Sequence, residues 1–242
     1  MDTLKRVGYC ILAILIAAVI YGWSLWYYGG LYQSGALLSA SQVTAETLLP
    51  TLSQELIVVL PEILAAVIAW ALLGWKQFPQ EMGLKAESVK KEILSLLAGG
   101  YLGALFLALL TVKSEPLTIC YQWGYYLFLI ALWEEFIFRG LLPLLVEKGG
   151  VPTWVIWLLP GVLFACMHTL MPMVKTGFAA ESFVFRLLSV LGGYTVGHCG
   201  FYALRKWSGT LWLPVLVHGL LDFSSVFITL LERKPSKYRT ER

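Results

Sequence analysis

Charged side chains are scarce in this sequence. They make up 14% of its 242 residues, against about 25% in an average soluble domain, while apolar residues reach 58%. A soluble chain of this length could not cover its surface with so few charges. Cysteine is sparse too: Cys10, Cys120, Cys166 and Cys199 form no Cys-x-x-Cys pair. That excludes a disulfide framework and a cysteine-based zinc site. Each cysteine falls in or at the end of an apolar block and reads as a small packing residue. Neither the His-Glu-x-x-His spacing of a zincin nor a Gly-x-Ser-x-Gly turn occurs. His198 and Cys199 are adjacent, so on a helix they diverge and cannot act as a nucleophile and its base. Basic residues interleaved with aromatics are missing outside the apolar blocks, so no nucleic-acid partner is expected.

What the sequence does have is long apolar blocks. Several approach the roughly 20 residues that cross a hydrocarbon core of about 30 Å. In lipid the backbone must satisfy its own hydrogen bonds, so the expected fold is all-α, a transmembrane bundle of about seven, or eight, spans. Blocks run over about 7–28, 55–75, 93–112, 119–146, 151–170, 178–204 and 211–231. The first has Lys5 and Arg6 before it and no cleavage site after it, and reads as an uncleaved signal anchor. Pro61 predicts a kink in the second. The charged connector from Lys76 to Lys91 contains Phe78, Met82, Leu84 and Val89, the pattern of a short interfacial helix. Gly99, Gly100 and Gly103 in the third block, and Gly193, Gly197 and Gly200 in the sixth, offer faces for close helix contact. No internal repeat is visible. Three parts are expected: N-terminal helices and connector (1–118), core helices (119–231) and a basic tail (232–242).

The net charge of +3 matters less than its distribution. With the N-terminus cytoplasmic, the Lys-rich connector, Lys148 and the Arg205–Lys206 pair all fall inside, and the first external loop has no Lys or Arg. Seven spans then leave the tail from Arg233 to Arg242 outside, against the rule.

Ionisable groups inside such blocks cost roughly 2.5–3.5 kcal/mol each on insertion scales and mark functional sites by default. Three blocks carry them: Glu134, Glu135 and Arg139; His168; His218 and Asp222. Glu135 and Arg139 lie four apart on one helical face and can neutralise one another. Glu134 is turned about 100° away and lacks that partner. An apolar setting makes such a carboxylate a usable general acid or base. His218 and Asp222 are also four apart, so Asp222 could fix the imidazole tautomer, or both could face a cavity. A pocket joining these groups suits hydrolysis by activated water; Glu, His and Asp are also competent metal ligands.

In three ordered motifs the sequence resembles the CAAX protease and bacteriocin-processing (CPBP, or Abi) family. Glu134, Glu135 and Arg139, followed by Gly140, match Glu-Glu-x-x-x-Arg. Phe164 and His168 match Phe-x-x-x-His. His218 and Asp222 match His-x-x-x-Asn, with Asp for the Asn usual in the prenyl-processing branch. The resemblance covers about Trp123 to Phe223. It implies a glutamate intramembrane protease with no metal and no cofactor. Glu134 would activate water, His168 would help hold it, and His218 with Asp222 would stabilise the oxyanion. Glu135, Arg139 and Phe164 would support them. An ionised Asp cannot donate to an oxyanion, so Asp222 must be protonated or act through His218. The expected partners are a peptide or membrane-protein substrate and the lipid bilayer. The expected place is the bacterial plasma membrane, because short bacterial members resemble this chain most. Prenyl-protein trimming and a non-catalytic scaffold or bacteriocin-immunity role remain open alternatives, as does a metal-dependent enzyme or transporter.

Overall fold

A computed structural model describes residues 3–40, 43–74, 76–85, 89–113 and 116–232. The basic tail from Arg233 to Arg242 lies outside the described residues. The fold is all-α. Helix α1 spans Thr3–Gln33, α2 Leu48–Val58, α3 Leu60–Leu73, α4 Gln77–Glu81 and α5 Val89–Val112. Helix α6 is one column over 116–148, in which two π turns (Tyr125–Ala131 and Glu135–Leu141) interrupt α-helix. Helices α7 (Thr153–Met167), α8 (Leu170–Lys175), α9 (Ala180–Ser208) and α10 (Trp212–Glu232) follow.

Among the described residues five helices are long and apolar enough to cross a membrane, or six if the bent pair α2–α3 is one span. The expected crossing over 119–146 is not in that set. It carries three charged residues, and its α-helix is broken by the two π turns.

Prolines within helices withhold an N–H, and at two of them a side chain from another helix takes up the carbonyl. Pro61 cannot donate to the Ile57 carbonyl four residues back, and the chain bends by 47° between α2 and α3. The Trp23 indole on α1 takes up that carbonyl at 2.8 Å. Pro143 likewise cannot donate to Arg139. There the guanidinium of Arg205, in the last turn of α9, donates to the Arg139 carbonyl, and it reaches the Gly140 and Glu81 carbonyls at 3.5 and 2.8 Å. In a medium without water, a carbonyl released by a proline needs such a partner.

Arg205 also belongs to a polar layer that closes one end of the bundle. Lys148 pairs with Glu81 at 3.0 Å and Lys206 with Glu147 at 3.5 Å. Leu211 N donates to the Gly83 carbonyl at 2.7 Å. Among the described residues 76–85 of the connector one short turn forms, α4, and the apolar side chains of Phe78 and Met82 face inward and not toward lipid. Phe78 is buried between Trp70 and Phe136, with ring centroids 6.0 Å from each. Met82 is buried against Gly140, where a Cβ would lie 2.5 Å from its Cε. The glycine faces are also largely unused. Of these six only Gly99 has a close neighbour, since a Cβ there would lie 3.6 Å from Leu216; beside Gly100, Gly103, Gly193, Gly197 and Gly200 there is open space.

Arg205→Met keeps the length of the side chain but strips these carbonyls of their donor. Each bare buried carbonyl costs about 1–3 kcal/mol. A marked drop in the thermal unfolding midpoint of the detergent-solubilised protein is the expected outcome.

Candidate active site

The second π turn sets the site. Glu134 ends the short α segment before it, and Glu135 is its first residue. A π turn shifts the register of side chains along a helix and is frequent at functional sites. Glu135 is fully buried, whereas Glu134 keeps 29% of its side chain exposed to a cavity.

Glu135 sits at the centre of a buried polar knot. Its Oε1 lies 3.1 Å from Arg139 Nη1 and accepts from His218 Nδ1 at 2.8 Å. Arg139 is as buried as Glu135, and its guanidinium is sandwiched by aromatics, 4.0 Å from the Phe164 centroid and 5.2 Å from that of Phe201. Those rings reach the two histidines as well. Phe164 meets His168 edge-on at 4.5 Å, and Phe201 lies 5.3 Å from His218. Phe164 thus touches both Arg139 and His168.

The histidine tautomers follow from their partners. His168 Nδ1 donates to the Phe164 carbonyl at 2.9 Å. A carbonyl only accepts, so Nδ1 carries the hydrogen and Nε2 is left free as an acceptor. The residue is not within a helix but caps the C-terminus of α7, and its ring stacks on Tyr194 at 3.6 Å. His218 Nδ1 is spent on Glu135, so its Nε2 addresses the other acids: Glu134 Oε2 at 3.8 Å and Asp222 Oδ2 at 3.5 Å. The group that orients the His218 ring is Glu135 from another helix, not Asp222 four residues away on its own. Glu135 therefore supports His218 as well as Arg139.

Glu134 and His168 line one cavity of about 690 Å³, together with Trp133 and Phe138. His218 and Asp222 sit beside Glu134 without lining it. The far wall comes from the N-terminal helices, including Tyr28, Glu55 and Glu62. Glu55 accepts from the Tyr28 hydroxyl at 2.7 Å and from Gln54 Nε2 at 2.9 Å. Glu55 and Glu62 carry the same signal as Glu134, an acid in an apolar block, but stand outside any motif. Tyr194, Phe201 and Arg205 have no distinguishing signal, since an aromatic or a terminal arginine is ordinary in such helices. Among the described residues no group of three or more His, Cys, Asp and Glu side chains is arranged to hold a metal ion.

Replacing Glu135 by Gln leaves the Arg139 charge buried without its counter-charge. Breaking a buried pair in this way costs about 3–5 kcal/mol. Glu135→Gln should unfold at a clearly lower temperature than wild type in the same detergent.

The family model described as type II CAAX prenyl endopeptidase Rce1-like matches residues 116–224. No curated protein and no solved structure matches the chain. The matched stretch begins with α6, ends within α10, and contains all three polar motifs. Residues 116–224 are accordingly an Rce1-like domain of the CPBP family, and membership of that family implies an intramembrane protease.

Proposed function

We propose that this protein is a glutamate intramembrane endopeptidase in which Glu134 activates water. The observation that carries this reading is the position of Glu134: partly exposed to a cavity it shares with His168, and 3.8 Å from Nε2 of His218. A water between the Glu134 carboxylate and His168 Nε2 would be polarised by both. Its oxygen attacks the scissile carbonyl carbon while its proton passes to Glu134. The negative charge that forms on the carbonyl oxygen is stabilised electrostatically by His218 from behind Glu134, protonated at Nε2 as well as Nδ1. Collapse breaks the C–N bond, and Glu134 returns its proton to the leaving nitrogen. Glu135 and Arg139 do not touch the substrate; they position His218. Asp222 acts through His218, which removes the need for an Asn-type donor at that place. No metal is required by this scheme.

We read the helical column over 116–148 as a seventh crossing. At the usual rise it measures roughly 45–50 Å, more than a hydrocarbon core. In this reading the polar layer of Lys148, Arg205 and Lys206 marks the cytoplasmic end, and 119–231 is the catalytic core. The substrate is a peptide or a membrane-associated protein. The second reading is a lipidated substrate, from the likeness of residues 116–224 to prenyl endopeptidases.

Glu134→Gln should reduce cleavage of a quenched-fluorescence peptide by at least a thousandfold, with the unfolding midpoint unchanged. Full cleavage by the purified variant would end the glutamate reading and favour a scaffold. Rates on a farnesylated peptide and its unlipidated twin separate the two substrate classes. Asp222→Asn should retain activity within about tenfold, because the ring of His218 is held by Glu135.

A further inference from the structure

We propose that Glu62 on α3 is a substrate-binding residue of the same site, the group that receives the amine side of the scissile bond. The inference rests on the hydrolytic reading above and adds a residue from outside the matched domain. Glu62 follows Pro61 in the first turn of α3, just past the 47° bend. One oxygen of its carboxyl, Oε2, is buried and has no hydrogen-bond partner among the described residues. Yet Glu62 lines the cavity that holds Glu134 and His168. A buried carboxylate oxygen left without a donor is costly, and a substrate can supply that donor.

The other charged groups on the cavity wall do not compete for this role. Both oxygens of Glu55 are used, by Tyr28 and Gln54. Lys175 and Arg186 are exposed and are themselves donors. Peptide hydrolysis presents one donor of changing charge: the amide N–H before cleavage and an ammonium after it. Glu62 would accept the N–H in the bound substrate. When the C–N bond has broken and Glu134 has returned its proton to nitrogen, the freed amine takes a further proton from solvent. Its charge then pairs with the Glu62 carboxylate. This favours peptides with an accessible scissile N–H, and it makes the free-amine product a better ligand than the same product with its amine blocked.

The test uses the full chain in detergent and two probes, the tripeptide valyl-leucyl-methionine and its N-acetyl form. Binding is measured by calorimetry on wild type, Glu62→Gln, Glu62→Asp and Glu134→Gln, and cleavage is followed with the reporter peptides above. Wild type and Glu134→Gln should bind the free amine at least tenfold more tightly than the acetylated peptide. Glu62→Gln should bind both equally and lose about tenfold in kcat/KM, and Glu62→Asp should recover part of the preference. A role confined to capping α3 would move the unfolding midpoint and leave the amine preference intact. Equal binding of the two peptides by wild type, or a preference that survives in Glu62→Gln, overturns the proposal. If Glu62→Gln does not fold, the preference of Glu62→Asp decides by the same measure. Cleavage that depends on Glu134 without amine preference sinks this inference alone; amine preference without any cleavage sinks the hydrolytic reading alone.

Discussion

A buried ion pair governs this structure. Glu135 and Arg139 lie 3.1 Å apart with almost no exposure, in a bundle whose outer solvent is lipid. Two charges in such a place are tolerated only with further partners. Arg139 finds them in the faces of Phe164 and Phe201, and Glu135 in the imidazole of His218. The cost of one charge pair thereby fixes three helices, α6, α7 and α10, and brings α9 with them through Phe201. The contacts that neutralise the pair are also what orients the His218 ring.

The same logic extends to the backbone. Pro61 and Pro143 each release a carbonyl within a helix, and each is answered by a side chain from another helix, Trp23 in one case and Arg205 in the other. Without water to solvate a bare carbonyl, every departure from regular helix demands a specific neighbour. A local irregularity in sequence thus becomes a contact between distant elements. The π turn beside Pro143 opens at Glu135, at the boundary between the two glutamates.

The cavity is built by both halves of the chain. The matched domain supplies Glu134 and His168, with His218 behind Glu134. The opposite wall is made by α1, the segment after it and the bent pair α2–α3, which carry no family motif. The acids Glu55 and Glu62 on that wall lie outside the matched domain.

Much was legible before any coordinates. Scarce charge and long apolar blocks determined an all-α membrane bundle, because apolar length against bilayer thickness is a property of the chain itself. Pro61 marked the bend. Ionisable residues in apolar blocks singled out Glu134, Glu135, Arg139, His168, His218 and Asp222 as candidates, since a charge in lipid is expensive wherever the helices lie. Sequence spacing did not reveal which of them would touch. It paired His218 with Asp222 on their shared face, whereas Glu135, eighty-three positions away, holds the ring. It read the connector with Phe78 and Met82 as a short interfacial helix, whereas these two side chains pack inward against Phe136 and Gly140, and it gave glycine faces a role that the packing leaves largely unused. Periodicity reports how side chains are arranged on their own helix. Which face meets which neighbour, and hence which donor finds which acceptor, is decided only when all the helices compete for the same contacts.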